Sequence, residues 1–162
     1  MTKKAPTTAA TQALDRLGLA YTPHPYEHDR FIEDYGLEAA RELGVAPQRV
    51  FKTLVVEGDG RTAIAVVPVS AMLDLKSLAA VLDAKKATMA RPELAERKTG
   101  YVVGGISPFG QRTHLPLVLD ATARDFPTVY VSGGRRGFDI ELSADDLLAA
   151  TGGKLASIAV PK

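Results

Sequence analysis

The chain contains no cysteine in its 162 residues, which excludes disulfides, thiolate zinc sites and a cysteine nucleophile of its own. It also lacks an excess of either charge. With 20 Lys and Arg against 19 Asp and Glu, any basic surface for a polyanion must be local. No apolar run approaches the roughly 20 residues that span a bilayer. Met1-Thr2-Lys3-Lys4-Ala5-Pro6 has positive charge but no apolar stretch behind it, so no secretory signal is expected and a cytoplasmic protein is. Internal repeats, linkers and low-complexity tracts are absent too. The length suits one domain with its own core.

What the chain does have is clustered glycine. Gly104-Gly105-Ile106-Ser107-Pro108-Phe109-Gly110 follows an apolar run, Tyr101-Val102-Val103, that reads as the end of a strand. Adjacent glycines allow close approach to a ligand and positive φ, and Pro108 fixes the turn. The same residues also suit an ordinary tight loop. A second run, Ser132-Gly133-Gly134-Arg135-Arg136-Gly137, follows the strand-like residues 128–131. Two such loops point to a site built from main-chain amides.

The surrounding pattern is α+β. A Thr7/Thr8 cap, apolar Ala10, Ala13, Leu14 and Leu17, and a stop at Gly18 predict a first helix. Two prolines suit residues 20–26 to an edge strand or extended segment. Leu37, Ala40 and Leu43 share a face of a helix over 35–43, ended by Gly44. Strands over 50–57 and 62–67 flank Gly58-Asp59-Gly60, a hairpin signal. Asp74 caps a helix reaching Leu82, and Pro92 opens another to Lys98. Strands are expected at 100–103, 117–119, 128–131, 138–142 and 155–160, with a helix from Ser143 to Gly152-Gly153 before the last.

Several residues have the chemistry for a site. Lys52, in Phe51-Lys52-Thr53-Leu54, either snorkels from a sheet end or holds an ammonium in a cleft for phosphate or carboxylate. Thr53 adds a hydroxyl. Tyr26-Glu27-His28-Asp29 is a polar run that either lines a cleft or is a solvated loop. His24 and His28 are four apart, but Pro25 lies between them and no carboxylate–histidine motif supports a metal site. No metal or other cofactor is expected. Ser107 and Ser132 lie in glycine runs without a Gly-x-Ser-x-Gly elbow. Arg112, Arg135 and Arg136 offer local positive charge for a phosphodiester, or are simply solvated. Asp139 interrupts an apolar strand just past the second glycine run, placed to pair with an ammonium from Lys52 or from a ligand.

Taken in order, the Tyr26 run, Phe51-Lys52-Thr53-Leu54, residues 100–110 and Tyr130-Val131-Ser132-Gly133-Gly134 to Ile140 resemble the YbaK-type Cys-tRNA(Pro) deacylases, over roughly residues 9–160. The wider superfamily includes the editing domain of bacterial prolyl-tRNA synthetases and free-standing Ala-tRNA(Pro) deacylases. The resemblance implies a mixed, mostly antiparallel, barrel-like sheet flanked by helices. It makes 9–162 a single editing domain and 1–8 a disordered tail.

The implied activity is removal of cysteine from mischarged Cys-tRNA(Pro), and of Cys-tRNA(Cys) as a further candidate. The substrate thiol attacks its own ester and leaves as a thiolactone, a closure expected to form a five-membered ring and to be helped by high effective molarity. In that scheme Lys52 holds the terminal adenosine or its phosphate, amides around Gly104 and Gly105 face the carbonyl oxygen, and Asp139 takes the α-ammonium. Tyr26, Thr53, Ser107, Pro108 and Ser132 line the pocket, and Arg112, Arg135 and Arg136 touch tRNA. Prolyl-tRNA synthetase is the expected transient partner. One departure is Gln111-Arg112-Thr113-His114, which supplies one basic residue where the family's pattern has two; it puts acceptor-stem contacts in question more than chemistry. Three rivals remain at this point: an Ala-tRNA(Pro) hydrolase that activates water, a non-catalytic module that binds tRNA or the synthetase, and a small nucleotide-binding enzyme.

Overall fold

A computed structural model of the chain describes residues 5–29 and 31–162. Five helices and ten strands follow in the order α1 (Ala9–Leu17), β1 (Thr22–Pro25), α2 (Tyr35–Leu43), β2 (Phe51–Gly58), β3 (Arg61–Pro68), β4 (Ala71–Leu73), α3 (Leu75–Val81), β5 (Ala87–Met89), α4 (Pro92–Thr99), β6 (Leu117–Asp120), β7 (Val129–Arg135), β8 (Phe138–Leu142), α5 (Ala144–Thr151), β9 (Lys154–Ala156) and β10 (Ala159–Pro161). The largest sheet has the order β5-β2-β3-β6-β9; a second is β1-β8-β7 and a third pairs β10 with β4. β6 runs parallel to both β3 and β9, and the other pairs are antiparallel. The expected α+β mixture is present, but the strands form three sheets and do not close into a barrel. A lone parallel bridge, Val50 to Tyr130, joins the first two sheets.

Local chemistry accounts for the framework. Asp59 and Gly60 both have positive φ, 51° and 81°, as a two-residue turn matched to strand twist requires. The Asp59 carboxylate then accepts from the amides of Lys85 and Lys86 and ties this turn to the approach of β5. β3 is buried on both faces from Ala63 to Pro68. Ile64 and Val66 join the main core with Phe51, Val55, Leu117 and Leu119. Ala63, Ala65 and Val67 face α3 through Leu78 and Ala79. Thr8 caps α1, and its hydroxyl also donates to the Gly133 carbonyl. Residues 1–4 of the expected tail lie outside the described residues. Among those residues no helix is long and apolar enough to cross a membrane.

Several expectations need correction. Residues 100–103 form no strand. Gly100 closes α4 in the left-handed conformation, the Val103 amide goes to the Glu96 carboxylate, and Gly105 N–H turns back to the Val102 carbonyl. The second glycine run is strand through Arg135, with an irregularity between Ser132 and Arg135, and only Arg136-Gly137 is turn. The expected strand 155–160 is two short strands in different sheets. Asp120, buried at 2% exposure, splits them by accepting from the amides of both Ile158 and Ala159. Leu17 and Leu37, assigned to apolar helix faces, are exposed.

Candidate active site

The site begins where a ladder stops. β5 pairs with β2 from Gly58 back to Val56, and Ala90 N–H reaches the Val55 carbonyl at 3.0 Å. Continuing that register puts Pro92 opposite Thr53. Proline has no N–H, and here it opens α4 at the first helical position. β7 packs alongside but forms no ladder with β2 among the described residues, its one bridge being Tyr130 to Val50, just before β2. β2 therefore has no strand partner on this side at Thr53.

A cavity of about 470 Å³ wraps around this open edge, so side chains from both faces of β2, Lys52 and Thr53, reach it. Ser132 of β7 and Asp139 of β8 line it and are paired in register. Tyr26, just past β1, and Tyr35 and Gly36, opening α2, add the far wall. Gly104 and Ile106 enter from the glycine turn, and Ala90, Pro92 and Ala95 form an apolar side.

Among the described residues, no hydrogen bond or ion pair joins Lys52, Thr53 and Asp139 to one another. Burial lowers the Lys52 ammonium pKa, the nearby Lys162 lowers it further, and Asp34 opposes both. Lys162 itself lies 3.9 Å from Asp34. Asp139 is 5% exposed, and loss of hydration pushes its carboxyl up to about 8. No ion pair joins Asp139 to Lys52 among the described residues, so the first of the two partners offered for Asp139 is not the one it has here. The Thr53 hydroxyl oxygen is buried with no hydrogen-bond partner among the described residues. Burial and the Asp139 carboxylate raise the Tyr26 phenol well above its usual range. An ammonium, a carboxyl and a hydroxyl thus line one cavity, each able to exchange hydrogen bonds with a polar group placed there.

Tyr26, Lys52, Thr53, Gly104, Ser132 and Asp139 come together as the sequence suggests, and the remaining candidates do not. Gly105 lies outside the cavity. Its N–H is bonded to Val102, and a Cβ there would sit 2.8 Å from the Arg135 main chain. Ser107 is fully buried; its hydroxyl accepts from Phe109 N and its carbonyl accepts from the Gln111 amide. Pro108 is buried beside it. Arg112 packs against Gly100. Arg135 and Arg136 line a second hollow of about 410 Å³, with His28 and Gly105. Arg136 also donates twice to the Val103 carbonyl and lies 4.5 Å over the Tyr35 ring.

The sequence reading missed Asp34, Tyr35, Gly36 and Ile106 as cavity residues. Gly36 carried a signal: glycine in a helix costs stability, and here a Cβ would sit 2.2 Å from Val69. Glu38 was missed as well. It is 1% exposed, and its carboxylate holds the His28 ring and the Asp29 amide, both at 2.7 Å, fixing the segment that follows Tyr26.

Residues 34–150, which include α2, β2, the glycine turn and β7–β8, match the model of the aminoacyl-tRNA editing domain family. The chain belongs to that family. An Enterococcus faecalis member, EbsC, provisionally named a Cys-tRNA(Pro)/Cys-tRNA(Cys) deacylase, is 37% identical over 139 residues, covering 83% of this chain and 85% of its own. A proline–tRNA ligase of Acidithiobacillus ferrooxidans is 31% identical over 116 residues, 69% of this chain but 20% of the ligase. A crystal structure described provisionally as a trans-editing enzyme for prolyl-tRNA synthetase superposes with a TM-score of 0.85 at 25% identity, over 96% of this chain and 99% of the other. The editing-domain fold therefore extends across nearly all of the chain.

Proposed function

We propose that this editing domain is a trans-acting deacylase that removes cysteine from mischarged Cys-tRNA(Pro), using the substrate's own thiol. The supporting observation is the cavity itself: among the described residues it holds an ammonium and a carboxyl not paired with each other, and no serine or cysteine hydrogen-bonded to a histidine. Ser132 is its one serine, and its Oγ accepts from Gly134 N. His24 and His28 are committed to Glu141 and Glu38, and the chain has no cysteine.

In the proposed reaction the thiol loses its proton and sulfur attacks the ester carbonyl carbon. The carbon–oxygen bond then breaks and the ribose oxygen takes up a proton. The ring that leaves has four members (sulfur, Cβ, Cα and the carbonyl carbon), not the five that make such closures easy. Orientation by the cavity therefore matters more.

Lys52 holds the terminal nucleotide through its phosphate or ribose, and Asp139 ionises as it receives the α-ammonium. Gly104 brings a main-chain amide to the carbonyl oxygen. Arg135 and Arg136 face the incoming tRNA. Prolyl-tRNA synthetase, whose relatives carry a similar segment within their own chain, is the transient partner, and the cytoplasm the site of action. The thiol requirement supplies the selectivity over alanine and serine that pocket size alone does not.

The test is deacylation of Cys-tRNA(Pro) with its thiol free and then alkylated, beside Ala-tRNA(Pro). Release only from the free-thiol substrate is expected. Equal or faster release of alanine overturns the cysteine assignment in favour of water activation. Stable binding of both substrates without release identifies a non-catalytic module.

A further inference from the structure

Among the described residues, the main chain of β2 has a hydrogen-bonded strand on only one side at Thr53. In the ladder with β3, the doubly hydrogen-bonded pairs fall on even residues of β2: Gly58 faces Arg61 across the two-residue turn, and Val69 N–H donates to the Val50 carbonyl at 2.8 Å. Odd residues turn their N–H and C=O the other way, as the Val55 carbonyl does toward Ala90. Thr53 therefore presents a donor and an acceptor to the cavity where Pro92 stands opposite without an N–H. Its buried, unpartnered hydroxyl lies at the same place.

We propose that the substrate's aminoacyl group binds this edge as the strand residue that Pro92 withholds: its carbonyl oxygen accepts from Thr53 N–H and its α-ammonium donates to the Thr53 carbonyl. This rests on the deacylase reading and adds how the site holds its substrate. An α-amino ester carries a donor and an acceptor in the same relation as a residue of an antiparallel ladder, so one group completes the pair. Residues directly opposite each other carry their side chains on the same face. The substrate side chain then stands beside that of Thr53, and the thiol meets the unpartnered hydroxyl, which can donate or accept. Thr53 N–H becomes a second donor to the carbonyl oxygen beside Gly104. Such recognition depends on chirality, because inverting Cα sends the side chain to the other face of the sheet.

The experiment is amide hydrogen exchange by NMR on uniformly 15N-labelled protein, with the Thr53 signal assigned by its loss in Thr53→Val. In the free protein the Thr53 amide should exchange at least about tenfold faster than that of Leu54, which is bonded to β3. Saturation with 3′-cysteinylamino-3′-deoxyadenosine, an amide in place of the labile ester, should slow Thr53 exchange at least about tenfold and move its resonance downfield. If the analogue binds and the Thr53 amide is unchanged, the inference is overturned, while deacylation of Cys-tRNA(Pro) by the same preparation keeps the functional reading. If the analogue does not bind and Cys-tRNA(Pro) is not deacylated, both are lost. D-cysteinyl-tRNA(Pro) should react about 100-fold more slowly than the L form, and equal rates overturn the strand register. Thr53→Val should lower kcat with KM nearly unchanged, and Thr53→Ser should restore it.

Discussion

Gly104-Gly105 and Gly133-Gly134 look alike in sequence and lie back to back in the fold, yet they serve different ends. At Gly105 a Cβ would strike the Arg135 main chain, and at Gly133 it would lie 2.3 Å from the Phe138 ring. Both positions are bare so that buried elements can touch. Gly104, with φ of 91°, is the one of the four that lines the cavity. Glycine richness here reports how closely neighbouring elements approach each other, by main chain at Gly105 and by side chain at Gly133, and only one residue of four lines the cavity. The cavity side and the packing side of these runs should therefore respond differently to substitution.

The largest expected effect separates them directly. Gly133→Ala forces a methyl group into the Phe138 ring and should cost about 3 kcal/mol of stability, at the upper end for overpacking. Gly104→Ala meets the Tyr35 ring and Arg136 at positive φ; it should cost about 1–2 kcal/mol but abolish most deacylation of the remaining folded protein. Thermal unfolding beside single-turnover rates checks the contrast, and an active Gly104→Ala would break it.

Next, Lys52→Ala should lower kcat/KM about 10- to 100-fold, the size of one charge-assisted hydrogen bond of about 1.5–3 kcal/mol, with the melting temperature unchanged or raised. Undiminished deacylation would refute the role given to the lysine.

Asp139 gives a pH signature. Its folded pKa of about 8 lies above the ordinary 3.8, so the folded protein binds more protons than the unfolded one between those values. Stability should be greatest below about pH 4 as far as this group is concerned, and fall as pH rises toward 8. Asp139→Asn should flatten that fall and raise KM for the charged tRNA. Urea midpoints at pH 5 and pH 8.5 measure it, and parallel slopes in the two proteins would show the carboxyl to be ordinary.

The smallest effect sharpens the division among the arginines. Arg135→Ala should remove less than about 1 kcal/mol, seen as a higher KM and a weaker salt dependence. Arg136→Ala should lower kcat as well, because it also releases the Val103 carbonyl next to Gly104. Identical profiles would return Arg136 to a purely tRNA-facing role.

Much of the site was legible because it sits on elements with clear local signals. The hairpin at Asp59-Gly60 fixes β2 and β3, and Lys52, Thr53, Ser132 and Asp139 interrupt apolar strands where side chains must find a use. The misreadings share a physical cause. Tyr101-Val102-Val103 has the composition of a strand, but the carboxylate of Glu96, in the preceding helix, captures the Val103 amide that a ladder would need. β4 and β5 have three residues each, too few to show a period, and Asp120 divides β9 from β10 through contacts 38 and 39 residues away. Pro92 was legible as a helix opener; its second effect, ending the β5 ladder opposite Thr53, appears only once the register is known.

That unpaired stretch of β2 has a consequence for the chain's behaviour in a crowded solution. A bare strand edge is normally an invitation to aggregation, since any extended segment can pair with it. Here α4, the start of α2 and the glycine turn surround it. The enclosure keeps a second polypeptide strand out while leaving space for a guest about one residue long.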